Sequence, residues 1–185
     1  MSRDALDRYY TPPNLAAALV GSMSRRLEGC AVWEPHAGGG AFVEALHTHA
    51  NPAAVEVSDI DPDAPALAKY GGRVADFLRE RPQALPDWII GNPPYKDAEA
   101  HTRRALSIAT KGAAFLLRVG FMESQTRVDF WKGPGRALQR VYILAKRPSF
   151  TGGGTDSTAY AWYIFDKTYR EAWPATLIPG WSWDK

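Results

Sequence analysis

Cysteine is all but missing from this 185-residue chain: Cys30 stands alone, which excludes an intrachain disulfide and any cysteine-based metal cluster. The four histidines are scattered without ligand spacing, so no metal site is expected. Long apolar runs are missing as well. Those present are strand-sized and broken by charge, and the start, Met1-Ser2-Arg3-Asp4, has no apolar core of the signal-peptide kind. The expectation is a soluble, cytoplasmic protein with no membrane partner. Repeats and low-complexity segments are not detected either. What remains is ordinary globular composition, 45% hydrophobic and 23% charged, in a length that suits one domain with a sizeable core.

Charge is nearly balanced overall but not along the chain. Residues 1–95 carry 8 Lys and Arg against 12 Asp and Glu, a net −4, whereas residues 96–147 carry 11 against 4, a net +7. Such a basic stretch is either a solvated face or a surface for a polyanion, and nucleic acid is the polyanion favoured by what precedes it.

Strand and helix signals alternate. Thr11 is a candidate N-cap, with Pro12 at the first helical position, for a helix from Pro13 to about Leu27 that Gly29 ends. Cys30 to Glu34 reads as a buried strand, followed by a glycine loop and a helix from Ala41 to His49. Strands are expected again at Ala54–Ser58, after Gly72, at Asp87–Ile90 and at Ala113–Val119, with short helices at 66–70, 97–109 and about 124–131. Two final strands, Arg140–Lys146 and Thr158–Asp166, are joined by a loop without a helix and must therefore be antiparallel. The fold class is α/β: a doubly wound, Rossmann-like sheet, mostly parallel, with a C-terminal antiparallel hairpin. The whole chain, 1–185, is expected to be one domain, with an N-terminal arm (1–13) and a tail (171–185) that holds Trp173, Trp181 and Trp183.

Two strand ends carry the chemistry. Asn92-Pro93-Pro94-Tyr95 follows the apolar run Trp88-Ile89-Ile90-Gly91, at the sheet edge where open α/β folds place their sites. Two prolines stop the strand and stiffen the turn, so the Asn92 and Pro93 oxygens become fixed acceptors for an amino group, beside the flat ring of Tyr95. The second end is Glu34-Pro35-His36-Ala37-Gly38-Gly39-Gly40, whose glycines permit a tight turn and close approach of a ligand. Asp59 lies 19 residues after Gly40 at the end of the next strand, where an acidic side chain takes ribose hydroxyls. Val43 stands where a dinucleotide loop has its third glycine, and Glu34 would repel a pyrophosphate but attract an ammonium or a sulfonium. The ligand expected is S-adenosylmethionine rather than NAD. His36 is either a cofactor contact or a packing residue.

These motifs together resemble the N6-adenine DNA methyltransferases, amino-methyltransferases that use S-adenosylmethionine. Tyr9-Tyr10-Thr11-Pro12-Pro13 is similar to their N-terminal motif beside the methionine end, Glu34 to Phe42 to the glycine motif, Asp59-Ile60-Asp61-Pro62 to the ribose motif, and Asp76-Phe77 to the motif beside the cofactor adenine. Asn92 to Tyr95 matches the catalytic tetrapeptide residue by residue. Leu116 to Glu123 and Arg147-Pro148-Ser149-Phe150 are similar to small phage-type members. The resemblance implies Asn92, Pro93, Pro94 and Tyr95 as catalytic residues. It implies Tyr10, Thr11, Pro12, Glu34, Pro35, Ala37, Gly38, Gly40, Phe42, Asp59, Ile60, Asp76, Phe77 and Asn92 as the S-adenosylmethionine site. Tyr95 would stack on a flipped adenine; Phe150 either covers its other face or covers the core edge. Lys96, Arg118 and Arg127 are candidate contacts to double-stranded DNA. The separate target-recognition domain of many members has no room here, and a homodimer would enlarge the contact surface at a palindromic site. The implied setting is the nucleoid of a bacterium or a phage-infected cell. Rival expectations are methylation of tRNA adenine or of a protein glutamine, and, from another class, a catalytically silent nucleic-acid-binding module.

Overall fold

The computed structural model describes residues 10–150 and 157–169. Tyr9, the glycines after Thr151 and the Trp-rich tail from residue 171 lie outside these residues. In chain order the elements are α1 (Pro13–Gly21), α2 (Ser24–Leu27), β1 (Ala31–Glu34), α3 (Ala41–His49), β2 (Ala54–Asp59), α4 (Pro65–Tyr70) and β3 (Arg73–Val74). They continue with β4 (Trp88–Gly91), α5 (Ala98–Ile108), β5 (Gly112–Arg118), α6 (Val128–Lys132), β6 (Leu138–Ile143) and β7 (Tyr160–Asp166).

The seven strands form one sheet in the order β3-β2-β1-β4-β5-β7-β6. The first five in that order are parallel; β7 inserts between β5 and β6 and runs antiparallel to both. The central strands β4, β5 and β7 are buried almost throughout because both their faces are covered, and the period of two in side-chain direction divides them between two cores, whereas the edge strands β3 and β6 are partly exposed. Trp88 and Ile90, Ala114 and Leu116, and Tyr160, Trp162 and Ile164 face the layer of α1 and α3, with Leu19, Phe42 and Leu46. Ile89, Phe115, Leu117, Tyr163 and Phe165 face α5 and α6, with Ala105, Leu106 and Phe130. Each large side chain so buried contributes roughly 1.5–3 kcal/mol. Among the described residues no helix is long and apolar enough to cross a membrane.

Three local expectations need correction. The first helix does not run through to Leu27: it breaks after Gly21, where the Ser22 hydroxyl donates to the Leu19 carbonyl at 2.6 Å. Glycine is a weak helix former, and a serine whose side chain competes for backbone partners adds to the break. The N-cap of α1 is Pro12 rather than Thr11, with no side-chain cap, and Pro13 takes the first helical position. Near Ser124 the expected helix begins as a 3-10 turn, Gln125–Arg127, before α6.

Candidate active site

The direction of strand order reverses between β1 and β4, and in open α/β sheets the ligand crevice lies there, outside the C-terminal strand ends. β1 ends at Glu34 and feeds the glycine loop; its neighbour β4 ends at Gly91 and feeds Asn92-Pro93-Pro94-Tyr95. The two meet directly. Gly91 has φ +152°, and a Cβ there would stand 2.8 Å from Glu34 Cδ, so both backbone conformation and space require glycine. Glu34 is fully buried. Its Oε1 accepts the His36 N–H at 2.9 Å, while Oε2 has no hydrogen-bond partner among the described residues. Burial pushes the Glu34 carboxyl well above the ordinary carboxylate range; the His36 N–H opposes this and the Asp59 charge adds to it.

The glycine loop is latched to β2. Asp59 accepts the Gly38 N–H at 2.8 Å on one oxygen and the Asp61 N–H at 2.9 Å on the other, and the Ala37 N–H donates to the Ser58 carbonyl at 3.1 Å. Burial raises the Asp59 pKa, against the bonds from the backbone. Tyr10 lies with its ring over the loop: a Cβ on Gly38 would come within 2.9 Å of Tyr10 Cδ1, and one on Gly39 within 3.4 Å of Cδ2. Pro35 and Ala37 are buried, and Ile60 is 53% exposed beside Asp59. Asp76 is occupied locally by the Leu78 N–H at 3.0 Å and by Arg79 at 3.4 Å. Two aromatics of the motifs belong to the core instead of the loop surface. Phe42 stacks on Trp162 with centroids 5.5 Å apart, and Phe77 meets Trp33 edge-on at 5.1 Å.

In the tetrapeptide, Asn92 Nδ2 donates to the Thr11 hydroxyl at 3.2 Å, which orients the amide across 81 residues of sequence. This contact, not helix capping, is where Thr11 acts. Tyr95 opens a 3-10 turn, Tyr95–Asp97, that runs on into α5. Its ring centroid lies 5.2 Å from that of Tyr160 and 6.4 Å from that of Phe150, tilted 54° and 53°. The Arg118 guanidinium sits 5.0 Å from its centroid. Phe150 thus joins Tyr95 in an aromatic cluster, tilted and not parallel to it. Arg127 turns inward: its Nη1 donates to the Gly120, Phe121 and Glu123 carbonyls, each at 3.3 Å, and its guanidinium covers Phe121. Lys96 is exposed beside Tyr95, 3.8 Å from Asp97.

Sequence reasoning passed over three participants. Gly91 was readable, since a glycine ending an apolar strand marks close approach of another group. Tyr160 and His101 carried no such signal. His101, on α5 and 7% exposed, has its Nδ1 2.7 Å from His36 Nε2.

No protein-family model matches the chain. Over 93 residues, 49% of its length, the chain is 38% identical to the type II methyltransferase M.TthHB8I of Thermus thermophilus, a match that spans 22% of that protein. Among solved structures, PH1948 of Pyrococcus horikoshii, a candidate RNA methyltransferase, superposes with TM-score 0.70 at 16% identity, covering 87% of each chain. A type I restriction-modification methyltransferase subunit of Streptococcus thermophilus gives 0.67 at 16% identity, over 88% of this chain and 45% of that one. TrmN of Thermus thermophilus gives 0.56 at 22% identity, over 83% and 48%. These likenesses bear out the fold and the kinship with methyltransferases read from the motifs: the chain has the Rossmann-like fold of S-adenosylmethionine-dependent methyltransferases and is similar, over about half its length, to a type II methyltransferase.

Proposed function

We propose that the chain is a single methyltransferase domain that moves the methyl group of S-adenosylmethionine to the N6 amine of an adenine in double-stranded DNA. The observation that carries this reading is the contact of Glu34 with Gly91, which sets the glycine loop against the residue just before Asn92. The residues present fit the cofactor, because a buried carboxylate oxygen without a partner among the described residues asks for a cation. Glu34 would receive the ammonium or sulfonium, Asp59 the ribose hydroxyls, and Gly38, Gly40 and Tyr10 the body of the molecule, with Ile60 and Asp76 beside its adenine. S-adenosylmethionine, when bound, supplies an electrophilic methyl group and departs as S-adenosylhomocysteine.

The chain's own work is done at the amine. An exocyclic adenine nitrogen is a poor nucleophile because its lone pair is delocalised into the ring. The Asn92 side-chain oxygen and the Pro93 carbonyl would each accept one N6 hydrogen, favouring a pyramidal nitrogen with a directed lone pair. Asn92 Nδ2 donates to the Thr11 hydroxyl, which ties the amide to the N-terminal arm. The two prolines keep both acceptors fixed before the reaction, which is alignment rather than acid–base work; the methylated nitrogen is cationic and acidic and gives up one of its two hydrogens to solvent. Tyr95, braced by Tyr160 and Arg118, would stack on the flipped base and offset part of the few kcal/mol that flipping costs. Basic side chains from residue 96 onward, Lys96 first, would meet phosphate. Arg127 would contribute by shaping the 120–123 turn, given its inward bonds.

Isotope-labelled methyl transfer to duplex DNA, tRNA and a glutamine peptide tests the reading. Label on adenine in DNA, lost by about 10²–10³-fold with Asn92→Ala as expected for removal of a preorganised oxyanion-type group, supports it. Transfer to tRNA alone, or transfer unchanged by the substitution, refutes it. Light scattering with and without a palindromic duplex tests pairing of two copies.

A further inference from the structure

The glycine loop is held on two sides by different means. Toward β2 and α4 it is tied by backbone and carboxylate bonds: Ala37 N–H to Ser58 O, Gly38 N–H to Asp59, and Ala66 N–H to Gly38 O at 3.0 Å. Toward α5 on the tetrapeptide side, a side-chain bond joins His36 Nε2 and His101 Nδ1 at 2.7 Å, spanning 65 residues of sequence. His101 lies on α5, which continues the turn beginning at Tyr95. A shift of α5 therefore moves both Tyr95 and the partner of the loop.

Aromatic rings enclose this bond. The ring of Phe77 stacks on His101 with centroids 5.6 Å apart and meets His36 edge-on at 5.2 Å; Phe115 closes a third side at 6.0 Å from His36. In that apolar setting burial holds both imidazoles neutral at pH 7. His101 falls to about 4 through burial, although Asp97 and Asp76 pull the other way, and His36 lies well below its usual value. A neutral pair shares one N–H, which either ring can donate according to its tautomer, and the 2.7 Å separation holds the two rings together.

We infer that His36 and His101 are positioning residues, whose hydrogen bond sets the distance and angle between the glycine loop and Asn92-Pro93-Pro94-Tyr95. This inference rests on the methyl-transfer reading above. It goes further by assigning alignment of the two half-sites to a pair outside the motifs. In-line transfer is sensitive to small displacements, and about 1 Å of misplacement can cost about 10²-fold in rate.

The test compares His101→Phe, which keeps the stacked ring and removes the nitrogen, with His101→Asn, whose side-chain oxygen can stand in for Nδ1. Three quantities are read on the full chain: the dissociation constant for S-adenosylhomocysteine, single-turnover methyl transfer to DNA, and deuterium uptake of residues 36–40 and 95–99. For His101→Phe the expected result is cofactor affinity within about threefold of wild type with transfer about tenfold slower or worse. In wild type, S-adenosylhomocysteine should protect both segments from exchange; in His101→Phe it should protect only the loop, and His101→Asn should restore both rate and protection. Equal rates for His101→Phe and wild type overturn the inference, as does a rate loss matched by affinity loss or left unrescued by asparagine. A wild type that binds S-adenosylhomocysteine but methylates no DNA defeats the methyl-transfer reading alone, and the exchange arm then decides the pairing. A chain that does not bind it defeats both.

Discussion

Replacing Glu34 by glutamine separates what this carboxyl does for folding from what it does for a ligand. Glutamine keeps the shape: one oxygen still accepts the His36 N–H, and the amide nitrogen takes the place of Oε2. Because burial raises the carboxyl's pKa, the wild-type protein is spared the ionisation penalty below about 4.5, the unfolded value, and loses that advantage as pH rises through the folded value. Glu34→Gln removes this dependence and should gain stability relative to wild type as pH rises from about 4.5 towards 8.5. Binding should respond in the opposite way. A charge-assisted hydrogen bond to a cation is worth about 1.5–3 kcal/mol, so the substitution should weaken S-adenosylmethionine binding roughly 10- to 150-fold. Titration calorimetry and thermal melts on the same samples give both quantities. Wild type should also release a proton on binding at pH values below the raised pKa, so its affinity should increase with pH up to that value. S-adenosylhomocysteine keeps the ammonium and lacks the sulfonium; an equal loss for both ligands identifies the ammonium as the partner. Unchanged affinity in Glu34→Gln, or a fall in stability as large as the fall in binding, would refute the reasoning.

Other perturbations test the scaffold. Gly91→Ala forces a side chain into a φ of +152° and against Glu34, so strain of about 1–3 kcal/mol and overpacking of a similar about 1–3 kcal/mol should appear as a lowered denaturation midpoint. Thr11→Val removes the acceptor of the Asn92 amide; stability should fall by about 0.5–1.5 kcal/mol in chemical denaturation, and transfer rate should fall further than that. His36 and His101 bind protons less readily than they do in the unfolded chain. Stability that is complete above about pH 6.5 should therefore decline as pH falls towards about 4, and His101→Phe should flatten that decline in urea titrations at graded pH.

Much of the fold was legible because its signals are local. Alternation of short apolar runs with amphipathic stretches announced a parallel sheet, and the absence of a helix between the last two strands announced their hairpin. Glu34, the glycines, Asp59 and Asn92 to Tyr95 stood out because each sits where a strand ends and a special backbone begins. Charge was a poorer guide. Arg127 reads as one more cation of a basic stretch, yet carbonyls of its own turn and Glu99 hold it, and nothing in a count of lysines and arginines separates such a residue from an exposed one such as Lys96.

By itself the sequence determined most element types and the strand ends where glycines, prolines and acidic residues gather, since turn residues, apolar period and side-chain chemistry act within a few positions. Only the tertiary structure decided that β1 and β4 are neighbours, that β7 slips between β5 and β6, and that Gly91 admits Glu34. It alone joined Thr11 to Asn92 and His36 to His101. Such contacts depend on which strands pair and which helix covers them, an outcome of burying two whole faces of a sheet at once, and no short stretch of the chain holds that information.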